Sequence, residues 1–145
     1  MPRELRHFVE RSLRIIDREA PAFFIRLCEM LDGRRIAVAD ETSGFALHFT
    51  RDAVACLAPD GSEDVRVVVN AATLLALIDG ELTLENALRQ ERLGVRSPVG
   101  VAADVFDGLV VYVRGAVRCP SAPRLLVEFR QSDAAKSSRT NWPGV

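Results

Sequence analysis

The chain has 145 residues, with 19 Lys and Arg residues against 20 Asp and Glu residues, so its formal net charge at pH 7 is −1. This length predicts one domain with a single core. The near balance of charge argues against a nucleic-acid-binding protein, which usually carries a basic face and a high pI. Hydrophobic residues make up 48% of the chain, but no run approaches the roughly 18 apolar residues of a membrane-spanning helix.

The N-terminus and the cysteines predict a cytoplasmic protein. The chain is charged from Arg3 onward and lacks the apolar core of a signal peptide. The three cysteines, Cys28, Cys56 and Cys119, are far apart and odd in number. This pattern favours reduced, buried thiols over a disulfide framework.

Two helices are predicted at the start of the chain. Apolar residues at 3.6-residue spacing between Leu5 and Ile16 indicate a helix over residues 3–18. Pro21 suits the first turn of a second helix, and Asp32-Gly33 ends it.

The period then changes from 3.6 to 2, which is typical of strands. Ile36 and Val38 alternate with small residues, and Phe45–Thr50 places three large apolar side chains on one face. Val54–Leu57 and Val65–Val69 have the same character. Because the connections between these four strands are short, they are predicted to form an antiparallel meander. One face of the sheet is apolar, so helices are expected to cover it.

Helix signals dominate the next segment. Asn70 is a good N-cap for a helix that ends at Gly80, and Thr83 is a plausible N-cap for a second helix over residues 84–90. Residues 92–96 are short and β-like, enough for a fifth strand.

A long helix is predicted over residues 98–118, opened by Pro98. Gly108 and Gly115 are candidate points for a break or a bend, and Leu109–Val113 also has strand propensity. The apolar arc of this helix is wider than the roughly 100° face of an ordinary surface helix. Its members are Ala102, Val105, Phe106, Leu109, Tyr112, Val113 and Ala116. This apolar excess is either plain core, which the pattern alone favours, or the lining of a cavity for an apolar ligand.

The predicted domain covers residues 1–130. Its parts are N-terminal helices over 3–31, a meander over 34–69, helices over 71–118 and a short terminal helix over 121–130. Residues 131–145 are polar and small and are predicted to form a flexible tail.

No pattern predicts a catalytic residue, a metal site or a cofactor. There is no CxxC or HExxH motif, and His7 and His48 are in different elements without neighbouring ligands. His48 could act as a general base with Cys56 or Ser62 as its partner. A single strand histidine, however, is more often solvent-facing or hydrogen-bonded.

The order of these elements resembles the sterol carrier protein family of lipid-binding domains, mainly over residues 34–118. The resemblance is carried by Val-Arg-Val-Val-Val (65–69), Leu-Leu-Ala-Leu-Ile-Asp-Gly (74–80), Leu-Thr-Leu-Glu-Asn-Ala-Leu (82–88) and Leu-Gly-Val (93–95). It implies an α+β fold with a five-stranded, mostly antiparallel sheet covered by helices. It also implies a hydrophobic tunnel between sheet and helices.

The function implied by this resemblance is binding or transfer of a hydrophobic ligand: a fatty-acyl, sterol-like or other lipid molecule. The predicted ligand-binding residues are Phe45, Leu47, Phe49, Leu74, Leu77, Ile78, Val105, Phe106 and Leu109. One alternative is an interaction or dimerisation module, or an accessory subunit of a lipid-related enzyme, whose apolar helix face is covered by a second copy or another protein. Another is an enzyme acting on a hydrophobic substrate, with His48 and Cys56 as the first pair to mutate.

Overall fold

A computed structural model describes the backbone of residues 4–141 and the side chains of residues 5–131. Within these residues the chain forms six helices and five strands. They are α1 (Glu4–Glu19), α2 (Pro21–Met30), β1 (Arg35–Ala39), β2 (Gly44–Phe49), β3 (Val54–Leu57), β4 (Val65–Val69), α3 (Ala71–Asp79), α4 (Leu84–Arg89), β5 (Leu93–Arg96), α5 (Val99–Arg118) and α6 (Ala122–Asn141).

The five strands form one sheet in the order β3-β2-β1-β4-β5. Three strand pairs are antiparallel, and β1 pairs with β4 in parallel. The predicted α+β class with a mostly antiparallel five-stranded sheet is therefore confirmed. The predicted meander is wrong at its last step, because β4 lies beside β1 and not beside β3.

The connection of residues 58–64 makes this crossing possible. Three strand spacings of about 4.8 Å separate β3 from β4, a distance of about 14 Å. Seven extended residues can span up to about 23 Å, so a short connection is compatible with a crossover as well as with a hairpin. The sequence pattern did not distinguish the two.

The two faces of the sheet differ in what covers them. Paired residues such as Ile36 and Leu47, or Val67 and Val95, point to the face that the helices cover. The other face carries Arg35, Arg66 and Arg96, together with the partly exposed Val68. The buried apolar residues of helices and strands form one continuous cluster on the covered side.

The helix ends of the central segment follow the predicted capping residues. The Asn70 side chain accepts a hydrogen bond from the Thr73 N–H at 2.8 Å, and the Thr83 hydroxyl accepts one from the Asn86 N–H at 3.1 Å. Gly80 ends α3 with a φ of 84°, a left-handed conformation that glycine adopts without a steric penalty. These local predictions are confirmed.

Helix α5 is continuous from Val99 to Arg118, so its glycines do not break it. A Cβ on Gly108 would lie 3.0 Å from Leu31 Cδ1, and one on Gly115 would lie 3.0 Å from Phe23 Cβ. Both glycines therefore allow α2 to pack closely against α5. Ala102 is exposed, so the buried arc of α5 is narrower than the predicted one.

The terminal helix is longer than predicted. It was expected to end at residue 130, whereas α6 extends to Asn141. The flexibility predicted for residues 131–145 stays a prediction, since the side chains beyond 131 and all of residues 142–145 lie outside the described part of the chain. None of the described helices combines the length and the hydropathy that a membrane span requires.

Candidate functional site

An apolar cavity of about 70 Å³ lies between the covered face of the sheet and helices α1, α2, α3 and α5. The sheet contributes one wall and the helices the other. The lining residues are Val9, Leu13, Leu27, Leu31, Ile36, Val38, Leu47, Phe49, Val67, Val69, Leu74, Val105, Gly108, Leu109 and Tyr112.

Tyr112 is the one lining residue with a polar side-chain group, and that group already has a partner. Its hydroxyl lies 2.6 Å from Ser12 Oγ, and the Ser12 hydroxyl donates to the Val9 carbonyl oxygen at 2.9 Å. The Tyr112 hydroxyl is therefore the donor of the pair. Burial raises the pKa of Tyr112 well above its usual range. The cavity thus offers a ligand almost no free hydrogen-bonding group.

Five of the nine predicted ligand-binding residues line this cavity: Leu47, Phe49, Leu74, Val105 and Leu109. The other four do not. Phe45, Leu77 and Ile78 are buried in the surrounding core, and Phe106 is half-exposed on α5.

The residues that the prediction missed come mainly from the N-terminal helices. Val9 and Leu13 of α1, Leu27 of α2 and Leu31, which follows the end of α2, line the cavity. Their apolar stripes were visible at helical spacing in the sequence. Nothing in that spacing indicated that these stripes face the same space as β2 and α5, because this depends on how the helices are placed on the sheet.

A groove of about 320 Å³ adjoins the cavity on the side of α1 and β3. Leu13 and Leu47 line both spaces, so these two side chains lie at the boundary between them. The other residues of the groove are Glu10, Arg14, Asp17, Phe24, Asp52, Ala53, Val54 and Cys56. The groove therefore joins an apolar interior to a charged surface.

The charges of the groove are mostly negative. Three carboxylates, those of Glu10, Asp17 and Asp52, stand against the guanidinium of Arg14. Arg6 lies nearby, where it donates to the Cys56 carbonyl oxygen at 3.2 Å and pairs with Glu10 at 3.0 Å. Arg6 and Arg14 both pair with Glu10. The other two carboxylates, those of Asp17 and Asp52, therefore make the groove negatively charged.

The size of the cavity limits what it can hold as it stands. An engineered cavity of about 150 Å³ binds benzene, and drug-sized ligands occupy about 300–1,000 Å³. A space of about 70 Å³ is smaller than either. A lipid-sized ligand therefore requires side chains at the boundary to move, or the use of the groove as well as the cavity.

The candidate catalytic pair is not assembled. Cys56 is paired with Leu47 and faces the helices, whereas His48 is paired with Ala55 and faces the opposite side of the sheet. Neighbouring residues on a strand point to opposite faces, so the imidazole and this thiol are separated by the sheet.

The three thiols are free. Cys28 and Cys119 are buried as predicted, whereas Cys56 is half-buried beside the groove. Burial raises the pKa of the Cys28 thiol to about 11 and also raises those of Cys56 and Cys119. None of the three is activated as a thiolate nucleophile.

On the open face of the sheet, the structure brings together three side chains that the sequence had kept apart. His48 of β2 and Asp60 and Glu63 of the 58–64 connection place one ligand atom each within 4.8 Å of one another. Hydrogen bonds from the hydroxyl and N–H of Ser62 lower the pKa of Asp60 well below its usual range. No sequence motif indicates this cluster, because the crossover from β3 to β4 assembles it.

The fold is shared with a solved structure. The structure named UbiJ-SCP2 Ubiquinone synthesis protein matches with a TM-score of 0.56 and 21% identity, covering 74% of this chain and 87% of that chain. Sterol Carrier Protein 2 Like 2 from Aedes aegypti matches with a TM-score of 0.49 and 19% identity, covering 70% of this chain and 96% of that chain. No family model and no curated protein matches the sequence.

The expected resemblance to sterol carrier proteins is therefore confirmed at the level of the fold, on the match to UbiJ-SCP2. At this level of identity, the similarity does not assign a ligand or a partner.

Proposed function

We propose that the protein binds a hydrophobic small molecule of the lipid class, with its apolar part between sheet and helices and its polar end in the groove beside α1. The observation that carries this proposal is the apolar cavity whose single polar side chain, Tyr112, is already bonded to Ser12. Such a lining favours ligands by burial of apolar surface, at roughly 25 cal/mol per Å².

The groove favours an uncharged polar end on the ligand. An ionised carboxylate would lie near Asp17 and Asp52 with few free cations to compensate for their charge. A ring with carbonyl or hydroxyl groups meets no such repulsion. Because the similar UbiJ-SCP2 structure is named as a ubiquinone synthesis protein, an isoprenoid quinone is a rational first ligand to test, with a fatty acid as the charged comparison.

A ligand that extends from the groove into the cavity would pass Leu13 and Leu47. Leu13 and Leu47 lie between the groove and the cavity. Rotation of these two side chains would join the two spaces without a change in the fold. The ligand would then occupy the combined volume, which is closer to that of known ligand pockets.

Native mass spectrometry of the purified protein, followed by organic extraction, tests for a bound hydrophobic molecule directly. Titration of the delipidated protein with a quinone and with a fatty acid then gives the two dissociation constants. We expect saturable binding at one site, with tighter binding of the uncharged ligand. Absence of both co-purified lipid and saturable binding would contradict the proposal.

Helix α5 provides matched variants for this titration. Leu109→Trp enlarges a side chain that lines the cavity, whereas Phe106→Trp enlarges a half-exposed side chain that does not. We expect the first variant to weaken ligand binding at least tenfold and the second to leave it unchanged. Equal effects of the two variants would place the ligand somewhere else.

The alternative of an interaction module stays a prediction, and two exposed valines of α5 are the reason to test it. Val99 is 97% exposed and Val117 is 56% exposed, at opposite ends of this helix. A chain that is dimeric in solution and carries no extractable lipid would favour this alternative over ligand binding. The predicted cytoplasmic location likewise stays a prediction.

A further inference from the structure

The open face of the sheet carries a cluster that the proposed ligand binding does not use. His48 points from β2 toward the connection between β3 and β4, where its Nε2 atom lies 3.9 Å from Glu63 Oε2. Asp60 completes the group, whose ligand atoms are all within 4.8 Å of one another. The helix-covered cavity lies on the other side of the same sheet.

One polar atom of this cluster is buried without a hydrogen-bond partner from the residues that the structure describes, and it faces a largely buried carboxylate. The Glu63 side chain is 6% exposed, and among the described residues its one ion-pair partner is His48. His48 Nε2 is inaccessible to solvent and has no hydrogen-bond partner within the described part of the chain. A buried imidazole nitrogen without a partner is unfavourable unless another group binds to it.

Hydrogen bonds from backbone N–H groups orient the carboxylates of Glu63 and Asp60. Glu63 accepts hydrogen bonds from the N–H groups of Asp60 at 3.2 Å and Gly61 at 3.3 Å, and Asp60 accepts from the Ser62 N–H at 2.9 Å. Arg35 donates to Ser62 Oγ at 2.8 Å, so its charge is directed at a hydroxyl. Hydrogen bonds of this kind fix the orientation of metal-ligating carboxylates while leaving lone pairs free.

We propose that His48, Asp60 and Glu63 bind a divalent transition-metal ion such as Zn²⁺, which holds the 58–64 connection against the open face of the sheet. One imidazole and two carboxylates form a mixed nitrogen and oxygen set that suits this class of ion. Three protein ligands leave a fourth position for water.

Binding of a zinc ion requires the three ligand atoms to move slightly closer together. Two ligands of one tetrahedral zinc ion, each about 2.1 Å from the metal, lie about 3.4 Å apart. His48 and Glu63 are close to that separation at 3.9 Å. Asp60 and Ser62 lie in the exposed connection, so a small shift of this connection can bring the Asp60 carboxylate inward without disturbing the core.

Isothermal titration of the metal-free full-length protein with Zn²⁺ tests the site, with Mg²⁺ as the comparison ion. We expect binding of one Zn²⁺ per chain, a rise in Tm on addition of Zn²⁺, and much weaker binding of Mg²⁺. His48→Gln and Glu63→Gln should each weaken Zn²⁺ binding at least tenfold. The matched control is His7→Gln, which changes the other histidine, on α1, and should leave the affinity unchanged.

Two further measurements keep the proposal testable if a buried variant fails to fold. Asp60→Asn changes an exposed side chain and should still weaken Zn²⁺ binding. Co²⁺ substituted at the site should give the absorption of nitrogen and oxygen ligation without a thiolate charge-transfer band. Absence of saturable Zn²⁺ binding, wild-type affinity in folded His48→Gln or Asp60→Asn, or a thiolate band that disappears in Cys56→Ser would each overturn the proposal.

Discussion

The two faces of the sheet are built from neighbouring residues of the same strands, yet they have different chemistry. On the covered face, Val65, Val67 and Val69 of β4 contribute to an apolar layer that encloses the cavity. On the open face, His48 meets the acidic residues of the 58–64 connection. The alternation of side chains along a strand lets one sheet support a hydrophobic site and a polar cluster that do not touch.

The separation of the two sites has a practical consequence. A ligand in the cavity contacts the helices and one side of the sheet, whereas an ion at His48 contacts the other side and a loop. Substitutions can therefore address each site by itself, as long as the sheet stays folded. Single substitutions can measure how strictly the two faces differ and what holds the helices on the covered face.

The largest effect is expected from introducing a charge into the covered face. Val67→Asp places a carboxylate at a position that is 4% exposed, and we expect it to lower the free energy of unfolding by about 3–5 kcal/mol. Val68→Asp, at the next residue but on the open face, should change it by about 1 kcal/mol, which is the range of strand propensities. Urea denaturation of both variants measures the difference, and similar losses would contradict the assignment of the two faces.

A smaller effect is expected from filling the glycine positions of α5. Gly115→Ala brings a Cβ within 3.0 Å of Phe23 Cβ and 3.2 Å of Ile16 Cγ2, atoms close to their backbones that cannot easily move. We expect a loss of about 1–3 kcal/mol in the free energy of unfolding. Thermal or urea denaturation gives this value.

Gly108→Ala is the matched control for that variant. Its Cβ would meet the methyl groups of Leu31, which are the end of a flexible side chain beside the cavity. Displacement of these methyl groups into the cavity, together with the better helix propensity of alanine, should keep the change within about 1 kcal/mol. A larger loss in the free energy of unfolding for Gly108→Ala than for Gly115→Ala would mean that the Leu31 methyl groups cannot move into the cavity.

The smallest effect concerns a polar contact at the edge of the helical layer. Glu19 accepts hydrogen bonds from the Ser121 N–H at 2.9 Å and hydroxyl at 2.5 Å, which lower its pKa in the folded protein. Stability from this contact is present above the unfolded pKa of about 4.3 and is lost as the pH falls through the folded value.

Glu19→Gln should therefore be less stable than the wild type at neutral pH, with a difference that shrinks as the pH falls below about 4.3. Unfolding experiments across this pH range measure the difference. Ser121→Ala removes one of the two donors and should show a weaker form of the same pH dependence. A Glu19→Gln difference that is constant with pH would rule out the ionised contact as its source.

Local features were predictable because their causes lie within a few residues. Asn70 and Thr83 have the side chains that cap helices, and Gly80 has the backbone freedom that ends one. The alternation from Phe45 to Phe49 likewise identified the covered face of β2. The resemblance to sterol carrier proteins added the correct fold class, which the match to UbiJ-SCP2 supports.

Features that depend on how elements meet were predicted less well. Phe106 was assigned to the ligand site from its place on the apolar arc of α5, but it does not line the cavity. Gly108 and Gly115 were candidate breaks in the helix, and their close approach to α2 explains them better. A single helix shows which residues are apolar, and its neighbours determine which of them face a ligand.

The sequence by itself determined the helices and strands, most of their ends, and the apolar face of each, since propensity, capping and periodicity act over short distances. Only the tertiary structure decided that β4 joins β1, that α1 and α2 enclose the cavity, and that Asp60 and Glu63 reach His48. Each of these depends on the path of a connection that can run more than one way. The physical reason is that a short loop permits several arrangements, and the packing of the whole chain selects one.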